Sequence, residues 1–272
     1  MKKSILITND DGIHSTGLHA ACESVCDLGK VTIVAPSVQK SGVGRGISVL
    51  QPIRVSKVQI ATLSDNNKIK GADVCAYSVD GTPTDAVIVG LYGIMAKKPD
   101  LLLSGFNIGE NLSTESVTTS GTIGAAMEAA SNGIPAIAVS VQVREQAEKF
   151  DLFGSGDFSI PVKFVRRVAA RVLEGGLPDG ADLLNINFPN KTTNKTKVEI
   201  TRLAKRVYRT IVHERHDPRG TPYYWVDGTL IRDAEVGTDV HAVLKNGRIS
   251  VTPISLDSTA EVDLNDIRKL IG

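Results

Sequence analysis

Asp10 and Asp11 stand side by side in Thr8-Asn9-Asp10-Asp11-Gly12, directly after a short aliphatic run. Two carboxylates this close repel each other, so one of them holds a proton unless a cation neutralises the pair. A divalent metal removes that penalty. An Asp-Gly turn leading into a helix cap accounts for the same residues without any ligand.

Three further loops concentrate oxygen and glycine. Residues 36–46 contain Ser41-Gly42-Val43-Gly44-Arg45-Gly46. They offer a hydroxyl and glycines that let a ligand approach the backbone, or simply a flexible turn. These glycines are not a dinucleotide fingerprint, which follows the first strand and opens a helix, and they lack the Gly-Lys-Ser/Thr ending of a P-loop. Ser104-Gly105-Phe106-Asn107-Ile108-Gly109-Glu110-Asn111 carries asparagine carbonyls, which coordinate hard cations and equally form turns. Ser120-Gly121-Thr122-Ile123-Gly124-Ala125-Ala126 lies at an expected helix start. Free N–H groups and the helix dipole make such a start an anion site, although tight packing on a sheet explains the small residues as well. Together the loops supply carboxylates, a hydroxyl and a carboxamide. These are hard oxygen donors that suit Mg²⁺ or Mn²⁺ rather than zinc.

The elements that must position these loops alternate in type. Compact apolar runs at 4–8, 31–35, 75–79, 101–104, 136–140 and 183–188 read as strands. Helices are predicted over 16–28 (capped by Ser15 or Thr16, stopped by Gly29), from Thr82-Pro83 to about 92, over 122–132 and over 160–174. Residues 47–60 alternate well enough for one or two strands broken at Pro52. The implied fold class is a Rossmann-like three-layer α/β/α with a mostly parallel sheet. Its loops at the carboxyl edge are the place for a ligand. After a polar seam at 189–197 the pattern changes to hairpin-like strands at 198–202, 223–226 and 248–253, and helix returns at 264–270. The reading is an α/β catalytic core over 1–190 and a C-terminal hairpin extension over 191–272, which is part of the same structural domain.

The motifs Thr8-Asn9-Asp10-Asp11-Gly12, Ser41-Gly42, Gly81-Thr82-Pro83-Thr84-Asp85, Ser104-Gly105-x-Asn107-x-Gly109-x-Asn111 and Ser120-Gly121-Thr122-x-Gly124-Ala125-Ala126 occur in this order. Together they resemble the SurE (survival protein E) nucleotidase family, and the likeness extends to 224–228, 237–239 and 249–253. The resemblance implies a divalent-metal-dependent phosphatase acting on nucleoside monophosphates. Carried over by position, the metal ligands would be Asp10, Asp11, Ser41 and Asn107, holding one Mg²⁺ or Mn²⁺ per subunit. It also implies a C-terminal extension that exchanges hairpins or tails between subunits. Phe106, Thr119 and Gly44 depart from residues common in the family, which touches substrate preference more than metal binding.

Phosphate monoester hydrolysis is the expected reaction. Asp10, Asp11 and Asn9 form its catalytic group, while Ser120, Gly121, Thr122, Gly42, Ser104 and Gly105 line the substrate. Water activated at the metal is favoured over attack by Asp10 through a phosphoaspartate, because enzymes of that kind usually carry Asp-x-Asp. A nucleotide-sensing module without turnover would use the same loops. His14 lies close enough to the aspartates to be an outer-shell candidate, whereas His213-x-x-His216 reads as charged hairpin surface.

The chain of 272 residues is long enough for one sizeable core. Its 31 basic and 30 acidic residues leave a net charge of +1, which argues against a nucleic-acid coat or a polybasic membrane binder. No apolar stretch approaches the ~20 residues of a membrane span, and the apolar run after Met1-Lys2-Lys3 is too short for a secretory signal. Cys22, Cys26 and Cys75 read as small buried hydrophobes in a reducing cytosol, so a cytoplasmic location is expected. Residues 189–240 hold the single tryptophan and three of the five tyrosines, interleaved with arginines. Aromatics and arginine are enriched at interfaces, so the extension is predicted to build a homodimer or homotetramer.

Overall fold

The computed structural model describes residues 2–59, 69, 71–143, 157–231 and 233–271. Strand β1 (Ser4–Thr8) is the spine of the molecule, pairing in parallel with β2 (Lys30–Pro36) on one side and β5 (Leu101–Ile108) on the other. Its side chains alternate between two cores, Ile5 and Ile7 facing one and Leu6 the other. That period of two, apolar on both sides, is what a sheet covered on both faces requires.

With β3 (Val55–Val58), β4 (Val74–Val79), β6 (Ala136–Val141), β7 (Leu183–Phe188), β8 (Val198–Ile200) and β11 (Ile249–Ile254), the nine-stranded sheet runs β3-β4-β2-β1-β5-β6-β7-β11-β8. The pairs β3–β4 and β11–β7 are antiparallel and the others parallel. Helices α1 (Thr16–Val25) and α5 (Ser159–Gly175) cover one face. Helices α2 (Pro83–Val89) and α4 (Gly121–Ser131) cover the other. The mostly parallel α/β layering expected from the sequence is therefore present.

Several elements differ in detail. Helix α1 closes at Cys26, before the expected Leu28. The helix opened by Thr82-Pro83 loosens after Val89 into a π-helical turn, Gly90–Ile94. There Gly90 lies against Leu6, whose methyls would stand 3.1 Å from a Cβ at that position. Within 47–60 only β3 is strand, and residue 60 lies outside the described residues. Strand β5 continues to Ile108 across a register shift between Ser104 and Asn107. Such a bulge re-aims the residues that follow it.

A short helix, α3 (Ser113–Thr119), connects β5 to α4 and gave no periodic signal of its own. The late strands 198–202 and 248–253 are not hairpins. As β8 and β11 they extend the main sheet. The one hairpin is β9 (Tyr208–His216) with β10 (Pro222–Leu230), nine residue pairs long and exposed along almost its whole length. A last helix, α6 (Leu264–Ile271), is exposed.

Candidate active site

Sheet order reverses at β1, since β2 lies to one side and β5 to the other. A crevice opens at the carboxyl ends of the strands at such a switch point. The aspartate loop sits there because Thr8 ends β1 and Asn9 folds the chain over: its Nδ2 donates to the Gly12 carbonyl (3.1 Å) and Ser15 Oγ (2.6 Å), and its Oδ1 accepts from the Gly12 N–H (3.1 Å). Ser15 in turn caps α1. Both ends of the Asn9 carboxamide are thus engaged inside the loop, and Asn9 shapes the turn that presents the two aspartates.

Asp10 and Asp11 are 4% and 2% exposed. Asp10 accepts a 2.5 Å hydrogen bond from the Thr122 hydroxyl at the start of α4. Asp11 accepts from the Ile108 N–H (3.0 Å) and from Gln39 Nε2 (3.3 Å). The Lys40 N–H donates to the Asp10 carbonyl at 2.7 Å. Three distant segments therefore meet on this pair, through Gln39 and Lys40, through Ile108, and through Gly121 and Thr122. Burial raises both carboxyls above the usual carboxylate range, and Asp11, which also feels the Asp10 charge, is pushed up to about 7. Among the described residues no positive side chain offsets them, and no group of three or more His, Cys, Asp or Glu forms here or elsewhere, so any further donors to a cation would have to be neutral oxygens. A buried acidic pair whose hydrogen-bonding neighbours are all uncharged suits a hard divalent cation.

The expected ligands fit that donor set. Ser41 is exposed in the loop that the Lys40 bond pins to Asp10. Asn107 is half-buried, and its Nδ2 donates to the Gly109 carbonyl at 2.7 Å, so the nitrogen end of the carboxamide is engaged within its own loop. Gly42, with φ +76°, is exposed beside Ser41. At the helix start Ser120 caps α4 by accepting from the Ile123 N–H, and Gly121 packs so closely that a Cβ there would stand 2.9 Å from Asp10 Cβ.

Ser104 and Gly105 face inward. The Ser104 hydroxyl, fully buried, donates to the Thr122 carbonyl at 2.7 Å and ties β5 to α4. A Cβ on Gly105 would meet the Val139 carbonyl at 2.3 Å. Their side of the strand fixes where Thr122 sits. His14 is exposed, and His213 and His216 lie on the exposed hairpin within 4 Å of Asp227 and Glu214 respectively.

Other residues hold the site although the sequence reading gave them no individual role. Arg45 closes the serine–glycine loop onto α4 through Glu128 (2.9 Å) and Ser131 (2.7 Å). Its neighbour Gly44 sits so near the helix that a Cβ on Gly124 would meet the Gly44 carbonyl at 2.5 Å. Asp85 completes a capping box with Thr82 and also accepts from the N–H and hydroxyl of Ser48, so this motif anchors a loop. Buried Asn111 exchanges hydrogen bonds with Ser140, Asn185 and Asn187 and fixes the chain after Asn107. Asparagines at alternate positions of the apolar run 183–188 are the signal that points to this network.

The family model "Survival protein SurE" matches residues 5–210. "5'-nucleotidase SurE" of Methanosarcina barkeri is 54% identical over 100% of this chain and 98% of its own length. The protein of the same name from Archaeoglobus fulgidus is 51% identical over 96% and 94%. The crystal structure of the Sure protein from Aquifex aeolicus superposes with a TM-score of 0.79 at 38% identity, covering 99% of this chain and all of that one. With the switch-point geometry in place and these likenesses spanning the whole chain, the protein belongs to the SurE family.

Proposed function

We propose that this chain is a divalent-metal-dependent 5'-nucleotidase, a phosphoric monoester hydrolase that converts nucleoside monophosphates to nucleoside and phosphate. Its relatives of about half-identical sequence carry the name 5'-nucleotidase. The observation that carries the reading is the buried Asp10–Asp11 pair hydrogen-bonded directly to the start of α4 at the carboxyl edge of the sheet.

Asp10, Asp11, Ser41 and Asn107 would hold one Mg²⁺ or Mn²⁺ per subunit. When bound, the ion neutralises the carboxylates and acidifies a water for attack on phosphorus. Ser120, Gly121 and Thr122 offer their end of α4 to the phosphate oxygens, and exposed Gly42 leaves room beside Ser41. Asp10 supports water rather than itself as nucleophile, because the Thr122 hydroxyl already occupies its Oδ1. Asn9, Ser104 and Gly105 act by holding the loop, the strand and Thr122 in place.

The described residues contain no helix long and apolar enough to cross a membrane. With three cysteines, none in a disulfide and two of them buried, a reducing cytoplasmic setting is the one we propose. The exposed hairpin makes a homodimer or homotetramer the proposed assembly.

The decisive experiment is phosphate release from AMP, GMP and an aryl phosphate with chelator, then with Mg²⁺ or Mn²⁺ restored. Metal-dependent release is expected, with the nucleotides preferred. Nucleotide binding without turnover under every metal condition would replace the hydrolase by a sensing module.

A further inference from the structure

At the opposite edge of the sheet, where the strands begin, lies an open cleft of about 910 Å³. It is bordered by the N-terminal ends of β1, β2 and β4 and by the segment 94–100 that descends from the π-helical turn. Helix α2 and this turn cover only the upper part of that sheet face, so Thr32, Cys75 and Tyr77 line the cleft. Lys2, Lys3, Lys30, Lys97 and Lys98 rim it against a single lining carboxylate, Asp100, in a chain whose net charge is only +1.

The rim is not self-neutralised. Lys3 reaches Asp100 at 3.5 Å and Lys2 reaches Asp73 at 3.8 Å, both across solvent-exposed pairs that hold their partners weakly. Lys98 Nζ donates to the Asn132 carbonyl at 3.1 Å. Lys30 and Lys97 form no ion pair with any described residue. Between the charges, Tyr77, Ile94 and Met95 give an apolar wall. The cleft therefore joins a multiply cationic rim to an apolar wall that includes one half-buried tyrosine, and its volume falls in the range of small-molecule sites rather than of a polymer track.

We propose that this cleft is a second ligand site, for a nucleoside polyphosphate. The phosphate chain would lie on Lys30, Lys97 and their neighbours, and the base on the Tyr77 side. A charge of about −4 matches the rim better than the −2 of a monophosphate. The five-residue strand β1 puts the cleft about 17 Å from the aspartate pair, so one molecule cannot bridge both.

Calorimetric titration of the metal-loaded full-length protein with the β,γ-imido analogue of adenosine triphosphate tests the site. One equivalent per subunit is expected, retained in Asp11→Asn and weakened about tenfold or more in Lys30→Glu/Lys97→Glu. That double variant should keep its thermal midpoint and its hydrolysis of monophosphates. Should it unfold, Lys97→Glu alone, on an exposed segment, gives the same reading. Tyr77→Leu should weaken the nucleotide while leaving inorganic tripolyphosphate unaffected.

No binding by the wild type overturns the proposal, as does binding lost in Asp11→Asn and kept in the lysine variant. Tripolyphosphate bound as tightly as the nucleotide, or single-stranded RNA bound in its place, overturns the choice of ligand. A protein that hydrolyses monophosphates yet ignores the triphosphate refutes this cleft alone and leaves the nucleotidase standing.

Discussion

Two carboxylates held almost out of water, with hydrogen bonds but no cation beside them, are under electrostatic stress that the fold imposes. Asp10→Asn and Asp11→Asn should each lower phosphate release by about a hundredfold or more while keeping the fold, since each replaces a hard charged donor by a neutral isostere. Wild-type rates in either variant would remove the metal site from the argument. The same stress gives a pH signature. In the metal-free protein Asp11, pushed up to about 7 from 3.8, keeps a proton that the unfolded chain has released. Between those two values the folded state binds more protons, so its stability falls as pH rises through the window. Calorimetric melting at about pH 5.5 and about pH 7.5 should show this fall in the metal-free wild type and a flatter profile in Asp11→Asn. Mg²⁺ or Mn²⁺ should recover the loss at the higher pH. Parallel profiles in the two proteins would contradict the assignment.

At the level of elements, the site depends on how closely the serine–glycine loop and α4 approach. A methyl on Gly124 would stand 2.5 Å from the Gly44 carbonyl and 2.8 Å from the Arg45 nitrogen, and neither backbone atom can turn away. Gly124→Ala is expected to cost about 1–3 kcal/mol of stability and to raise the KM for substrate by displacing Ser41. Glu128→Ala, which releases the partly exposed Arg45 pair and a 3.3 Å bond from Asn132 Nδ2, should cost about 1 kcal/mol or less. Urea denaturation and initial rates on both proteins check the contrast, and equal effects would mean that the close approach is unimportant. Gly121→Ala presses on Asp10 instead, so it should reduce kcat together with metal affinity.

The legible and the illegible parts of the molecule divide along these contacts. Strand β1 and the polar loop after it could be read because a buried parallel strand needs an unbroken apolar run and a ligand loop needs an abrupt end to it. Thr122 and Gly121 could be read as a helix start, but not that their partner would be Asp10. A hydroxyl at a strand end is compatible with either direction, so the sequence reads Ser104 as lining the substrate without showing that its hydroxyl, in regular register beside Ala138, donates to the Thr122 carbonyl. Gln39, Arg45 and Asp239 gave no periodic signal, since each acts through long-range bonds to residues far away in the chain. Asp239, for example, accepts from the N–H groups of Ser113 and Ala204. Strands β8 and β11 were misread as hairpins because alternation reports a half-exposed strand without naming its neighbour.

At the scale of the molecule, the β9–β10 hairpin is exposed on nearly every residue. Trp225, Tyr224 and Val226 are 60%, 60% and 73% exposed, and an isolated two-stranded hairpin is marginal in water. Its base is tied down by the Tyr208 hydroxyl, which donates to Glu110 near the site. The rest of its length should rest on another subunit. Light scattering is expected to give at least twice the 28.9 kDa chain mass, and Trp225→Glu combined with Val226→Lys to shift the protein toward monomer. A fully active wild-type monomer at low micromolar concentration would exclude the assembly.

The antiparallel return of β11 onto β7 bears on how the chain is made. The pair joins residues 249–254 to 183–188, and β8 is held in the sheet only by β11. On the ribosome the aspartate crevice is complete once residues up to about α4 have emerged, yet the edge of β7 stays bare until almost the entire chain has been translated. A nascent or prematurely terminated polypeptide ending before residue 249 would therefore own every proposed catalytic group and still present an open, apolar sheet edge to its neighbours. Stop codons placed between residues 231 and 248 should give inclusion bodies rather than weakened enzyme, with the last strand serving as the quality mark of finished synthesis.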